Sequence, residues 1–253
     1  MFATKSEKEI ELIRNSSKIV AEVLKLIGSK IQVGVTTLEL DLIAEDFIRS
    51  CGAEPAFKGY GHDKNNLYPA SICASVNDEV VHGIPRNLKL CDGDIISVDV
   101  GVKLKGYFGD GAETFAVGKI SDEKEKLMAA TKASLEKGVS VAVAGNTIGD
   151  IGFAVQSFIE AKGFSVVRDL VGHGVGKELH EEPSIPNYGR PRQGFTLKEG
   201  MTLAIEPMVN AGSFKVKTDD DGWTVRTSDG KPSAHFEHTI VVRKNKVEIL
   251  TII

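Results

Sequence analysis

The sequence predicts an α+β fold in which two similar halves pack as a pseudo-symmetric pair, with acidic strands meeting at the centre. Three observations predict it. Apolar residues recur at helical spacing in the segments that open each half, and Val/Ile-rich alternating runs read as strands between and after them. The segment from Asp94 to Phe115 reads as two strands joined by a tight turn, with an aspartate on each arm. The second half echoes the first at an offset of 111 residues, pairing Gly34 with Gly145, Thr36 with Thr147, Leu40 with Ile151, Phe47 with Phe158, Ile48 with Ile159 and Gly52 with Gly163. The halves run from about 6 to 118 and from about 121 to 253, within a single domain over 1–253.

The elements follow in order. From Ser6 to about Gly28, Ile10, Ile13, Val20, Val23, Leu24 and Ile27 form a helical stripe. Thr36-Thr-Leu-Glu39 is a capping-box pattern that opens a second helix, with Leu40, Ile43, Phe47 and Ile48 inward and its end near Gly52. Residues 53–69, rich in Gly, Pro, Asn and Tyr, read as a loop. Strands are expected over 70–76, 94–102 and 106–117. Ser121-Asp-Glu starts a third helix, with acids in its first turn. Thr147 starts a fourth, with Phe158 and Ile159 inward. Strands resume at about 164–168, 201–209, 235–243 and 246–252.

The aspartates of the hairpin carry the first chemical signal. With Leu104-Lys105 as the turn centre, Asp99 and Asp110 oppose each other directly, and opposed like charges destabilise a ladder. Alternation sends Val98, Val100 and Val102 to one face and Ser97, Asp99 and Gly101 to the other. Two acids in such surroundings ask for a cation, because a buried charge neutralises or finds a partner. Glu206 lies in an apolar strand just before Pro207, and Glu237 heads another. Alternation places Thr202, Ala204 and Glu206 on one face, and His235, Glu237 and Thr239 on another. Histidines gather in the same segments: His82 before Gly-Ile-Pro, His173 between glycines, His180 before Glu-Glu-Pro, and His235 and His238 around Glu237, leaving only His62 outside. Taken singly, each segment also reads as an ordinary turn or strand end. Together, two aspartates, two glutamates and an imidazole make a donor set for two divalent ions, with oxygen-rich character that disfavours a closed structural zinc site.

Composition narrows the class. The chain has 253 residues, 42% hydrophobic and 26% charged, with net charge −4. It has no Lys/Arg run for a nucleic acid and no apolar run long enough for a membrane. The polar N-terminus lacks a signal-peptide core, and three scattered cysteines without a CxxC pair indicate a reducing, cytoplasmic setting.

The ordered motifs Val81-His82-Gly-Ile-Pro, Ser97-Val-Asp99-Val-Gly, Gly109-Asp110-Gly-Ala-Glu-Thr, Gly172-His173-Gly-Val-Gly, Leu179-His180-Glu-Glu-Pro, Ala204-Ile-Glu206-Pro and Phe236-Glu237-His-Thr resemble type I methionine aminopeptidase over nearly the whole chain. The resemblance implies the pita-bread fold, two pseudo-symmetric halves with a central antiparallel sheet and outer helices. It implies two divalent ions (Co, Mn, Fe or Zn) on Asp99, Asp110, His173, Glu206 and Glu237, with Asp110 and Glu237 shared between them. It further implies that Glu206 relays a proton, that His180 supports the tetrahedral intermediate and that His82 binds the peptide on its leaving side. By motif position Tyr68, Cys73, Leu179 and Trp223 would line the methionine pocket, with Met208 and His235 nearby. The implied reaction removes N-terminal methionine from nascent chains, preferring a small second residue, by a monomer working near the ribosome.

This chain departs from the family pattern at three places. Residues 61–67 lengthen the loop before Tyr68 and put the pocket rim and Tyr60 in question. Leu179 stands where an aromatic is frequent, and His235 where Gln is frequent. No zinc-finger extension precedes the first helix, so the short form is expected. Two rivals remain open from the sequence. A proline dipeptidase or aminopeptidase P would carry a large additional N-terminal domain, for which a first helix near residue 6 leaves no room. A non-enzymatic binding protein on this fold would have lost ligands, whereas all five positions keep metal-competent side chains.

Overall fold

A computed structural model describes residues 4–61 and 63–252. Residues 1–3 of the N-terminal segment, His62 of the lengthened loop and residue 253 lie outside the described residues. Two helices open the chain, α1 (Glu7–Gly28) and α2 (Thr37–Ser50). Ser6 and Thr36 cap them in capping boxes with Glu9 and Glu39, which satisfies backbone donors that a helix start leaves unpaired. Strands β1 (Glu54–Pro55), β2 (Cys73–Val76), β3 (Glu79–Val81), β4 (Ile95–Leu104) and β5 (Tyr107–Ala116) follow. Helices α3 (Asp122–Ser140) and α4 (Ile148–Glu160) come next, capped by Ser121 and Thr147. The chain then forms β6 (Ser165–Val166), β7 (Val171–Gly174), β8 (Glu181–Pro186), β9 (Thr202–Ile205) and β10 (Met208–Asn210). It closes with β11 (Val216–Thr218), β12 (Val225–Thr227), β13 (Ser233–His235), β14 (His238–Val242) and β15 (Val247–Ile249).

All strand pairings among the described residues are antiparallel. Strand β4 pairs with β1, β2 and β5, and a second sheet runs in the order β15-β14-β9-β7-β8. Two smaller sheets, β13-β10-β6 and β11-β12-β3, fill the space around them. Apolar residues of α1 and α2 bury Val98, Val100 and Val102 of β4 in one core. Those of α3 and α4 bury Leu203, Ile205, Ile240 and Val242 in another. Each sheet therefore has one greasy face under helices and one face free to carry polar groups.

The hairpin register differs from the sequence expectation. Its last pair is Leu104 with Tyr107, so the turn centre is Lys105-Gly106 and not Leu104-Lys105. Both central residues have positive φ, +51° and +79°, as a two-residue primed turn demands, and Gly106 meets that demand without a Cβ clash. Asp99 therefore faces Ala112, and Asp110 faces Gly101. The slip spans two residues and keeps side-chain parity, so both carboxylates still share one face, as diagonal neighbours.

Two long strand expectations also split. The run 201–209 breaks at Glu206-Pro207, between β9 and β10, because proline has no N–H for the ladder. The run 235–243 breaks at Phe236-Glu237, between β13 and β14.

Candidate metal centre

Five acidic or imidazole side chains meet where the two larger sheets come together. Asp99 comes from β4 and Asp110 from β5, on the face opposite the buried valines. His173 comes from β7, paired with Ala204 of β9. Its flanking glycines have a steric reason. A Cβ on Gly172 would sit 2.4 Å from Ala204 O, and one on Gly174 would sit 2.6 Å from Glu182 O. Glu206 and Glu237 occupy the two strand breaks, where the chain is freed from the ladder; the Glu237 N–H still donates to Ala112 O of β5.

Ligand-type atoms of Asp99, Asp110 and Glu237 all lie within 4.8 Å of one another, as do those of His173, Glu206 and Glu237, and those of Asp110, His173 and His180. Glu237, Asp110 and His173 each belong to two of these groups. His173 Nε2 is 3.4 Å from Glu206 Oε1 and 3.7 Å from Asp110 Oδ2. His173 Nδ1 lies 2.9 Å from Gly174 O. A carbonyl only accepts, so Nδ1 carries the proton and Nε2 turns its lone pair toward the acids.

The electrostatics of this cluster are those of a cation site. Desolvation pushes the Asp99 carboxyl up to about 7. Desolvation, and then repulsion from neighbouring acids, holds Asp110, Glu206 and Glu237 well above the usual carboxylate range. Burial lowers His173 to about 3 and His82 to about 4, with the nearby His180 adding to both. Asp99 Oδ1 and Glu237 Oε1 are buried without a hydrogen-bond partner. Oxygens so placed are costly unless a cation or proton meets them, and the mixed carboxylate and imidazole set suits a divalent transition metal.

An 80 Å3 cavity adjoins the acids, walled by Phe57, Tyr60, Tyr68, Cys73, His82 and Trp223. Tyr68, Cys73 and Trp223 thus line it. Leu179 is buried in the same apolar cluster as Phe57, Tyr68 and Cys73 but is not among the residues lining the cavity. Met208 lies in an outer groove of about 420 Å3, which shares His82, His173, His180 and Glu206 with the cavity. His235 is buried, its Nε2 3.7 Å from Glu206 Oε2. His82 follows β3 with φ +58°, a conformation costly for a side chain with a Cβ and frequent at functional sites. Its neighbour Gly83 is fixed by bonds from Ala74 N and Tyr68 Oη to its carbonyl and from its own N–H to Ser75 Oγ.

Sequence reasoning missed Phe57 as a wall residue; its only signal was an aromatic within the Gly/Tyr-rich loop. The lengthened loop leaves Tyr60 in place. The Tyr68 N–H donates to Tyr60 O and the Gly59 N–H to Tyr68 O, closing the loop at its base. Asn66 docks its tip, donating to Asp221 O and accepting from Trp223 Nε1. Tyr60 Oη then sits 2.5 Å from His180 Nδ1.

The geometry has close relatives. The sequence matches metallopeptidase family M24 over residues 11–244. It is 53% identical to a methionine aminopeptidase of Clostridium perfringens over the whole of both chains. It is 52% identical to methionine aminopeptidase 1 of Bacillus subtilis over 99% of each. The crystal structure of methionine aminopeptidase from Thermotoga maritima superposes with a TM-score of 0.96 at 44% identity, covering both chains fully. A prolidase from Pyrococcus furiosus, at 22% identity, shares the fold with a TM-score of 0.79, and this chain spans 65% of its length. The pita-bread fold is therefore the architecture observed here, and the chain belongs to metallopeptidase family M24, among its methionine aminopeptidases.

Proposed function

We propose that this protein removes the N-terminal methionine from peptides and nascent chains by metal-assisted hydrolysis of the first peptide bond. The observation that carries this reading is the adjacency of five convergent ligand side chains and a small, mostly apolar cavity. Asp99, Asp110, His173, Glu206 and Glu237 would hold two divalent ions. The ligand groups overlap at Asp110, Glu237 and His173, and only the two carboxylates have a second oxygen to offer, which supports their sharing between the two. Mn, Fe, Co and Zn all fit this donor set. When bound, such ions supply Lewis acidity, which lowers the pKa of water and polarises a carbonyl.

The chain's own residues supply the rest. The apolar cavity between Tyr68, Cys73 and Trp223 accepts the methionine side chain. Glu206, at the border of cavity and outer groove, takes a proton from the attacking water and passes it to the leaving amine. His180 stands over the scissile carbonyl and His82 over the departing peptide, where both narrow the passage and favour a small second residue. The remaining chain leaves along the outer groove. The enzyme acts in the cytoplasm, as a monomer near the ribosome; its three free cysteines support the reducing compartment alone.

The arrangement as two halves of one domain is supported by local parallels. Gly34 and Gly145 take φ of +93° and +98°, and Gly52 and Gly163 take +71° and +82°. Thr36 and Thr147 each cap a helix and each form an isolated antiparallel bridge, to Lys89 and Thr196.

Incubation of metal-loaded protein with Met-Ala-Ser and with an X-Pro dipeptide tests the reading. Free methionine from the first and no cleavage of the second is expected. Cleavage of the X-Pro bond with no methionine released would defeat it.

A further inference from the structure

We propose that Tyr60 is a positioning residue that fixes the tautomer of His180, so that His180 presents Nε2–H as a hydrogen-bond donor to the scissile carbonyl. The identity of that carbonyl rests on the methionine-releasing function proposed above; the tautomer does not.

Two imidazoles stand edge to face in this centre, His173 and His180, with ring centroids 4.3 Å apart. Their Nδ1 atoms meet opposite kinds of partner. That of His173 faces a carbonyl oxygen, Gly174 O, and must carry a proton. That of His180 faces the Tyr60 hydroxyl at 2.5 Å. A phenol can donate or accept, so two arrangements compete. If Tyr60 donates, His180 Nδ1 is bare and Nε2 carries the proton. If Tyr60 accepts, Nε2 is bare and His180, which offers one ring nitrogen within 4.8 Å of ligand-type atoms of Asp110 and His173, presents a lone pair in place of a proton.

The chemistry of the pair favours the first arrangement: a phenol O–H is a stronger donor than a neutral imidazole N–H, and a bare imidazole nitrogen is a stronger acceptor than a phenol oxygen, so O–H···N is the favoured direction across the 2.5 Å contact. Tyr60 is held for this task by its backbone, which donates to Phe57 O and accepts from Tyr68 N, both at 2.8 Å. The outcome is a division of labour. His173 offers a lone pair to the centre, and His180 offers a proton. A fixed donor of the second kind stabilises the developing oxyanion of acyl transfer.

Long-range 1H–15N correlation on protein with labelled imidazoles reads both tautomers directly, with the His180 signals assigned from a His180→Gln sample. The expected spectrum has Nε2–H on His180 and Nδ1–H on His173. Tyr60→Phe keeps the ring and removes only the hydroxyl. It should mix the His180 tautomers and lower kcat on Met-Ala-Ser by about 10- to 100-fold, up to the cost of losing an oxyanion donor outright (~10²–10³). KM and bound metal per chain should stay close to wild type. Nδ1–H on His180 in the wild-type protein would overturn the proposal, with no variant needed. An unchanged His180 tautomer in Tyr60→Phe would overturn it as well. If the tautomers are as stated and no methionine is released, the function proposed above fails and the assigned tautomer stands.

Discussion

Glu237 and Asp110 are the carboxylates on which the centre turns, because each belongs to two of the three ligand groups, as does the imidazole of His173. Replacing one with its amide keeps shape and hydrogen-bonding size but removes a charge that two cations would share. Asp110→Asn or Glu237→Gln should lower methionine release by more than the ~10–100-fold typical of residues that merely support ligands. The circular dichroism spectrum should be little changed, and bound metal measured by elemental analysis should fall in parallel. His82 behaves differently in this account. It touches the cavity and the outer groove but belongs to none of the ligand groups. His82→Ala should therefore lower kcat/KM while metal content stays at the wild-type level; equal loss of metal would make His82 a ligand. A third residue, His238, tests the cost of burying an imidazole. It bonds Thr251 Oγ1 through Nδ1 at 2.8 Å, and burial lowers its pKa to about 4. The unfolded chain takes up that proton near pH 6.5. Its neutral form therefore costs nothing above about pH 6.5, and stability drains as pH falls from there toward 4, by at most ~1.4 kcal/mol per unit. In urea melts, His238→Gln should lose less stability than wild type between pH 7 and pH 4.5; parallel losses would contradict the assignment.

At the level of elements, the site depends on how closely strands can approach. Strand β7 passes between β8 and β9 with no room for a Cβ on either side of His173. Gly172→Ala should cost about 1–3 kcal/mol, the range for overpacking a tight contact, and should weaken metal binding by displacing His173. Chemical denaturation together with a metal titration measures both. This strand was not legible in the sequence, because a Gly-His-Gly segment carries no apolar alternation and its glycines serve the backbone contact. The short strand β3 was hidden for a related reason, since its pairing with β12 joins segments more than a hundred residues apart. Helices were legible, because each announces itself twice, by a Ser or Thr cap and by an apolar stripe. The hairpin was legible in parity but not in register. The apolar pattern sets which face a residue takes, and the turn residues set where the ladder starts; Lys105-Gly106 carried that second signal.

Across the whole molecule, two helix-covered cores hold two sheets whose polar edges meet, and the acids gather at the meeting place. The motifs named all five side chains of the proposed ligand set, because each interrupts a regular pattern: acids in strands, or histidine among glycines. The partners that tune them were not readable there. Tyr60 reaches His180 across 120 residues, and Asn66 reaches the Trp223 hairpin across 155. Such contacts exist only once the loop closes through Tyr60 and Tyr68. A fold that gathers four acids into one desolvated cluster should gain stability from cations that bind only its folded form. At a metal concentration 100-fold above Kd that gain is about 2.7 kcal/mol, so chelation should lower Tm and readdition should restore it. The most direct measurement is calorimetric titration of chelator-stripped protein with Mn, Co or Zn, followed by methionine release from the same samples. Two ions per wild-type chain are predicted, with release absent in stripped protein and restored on loading. Full release from stripped protein, or no binding at all, would contradict the account.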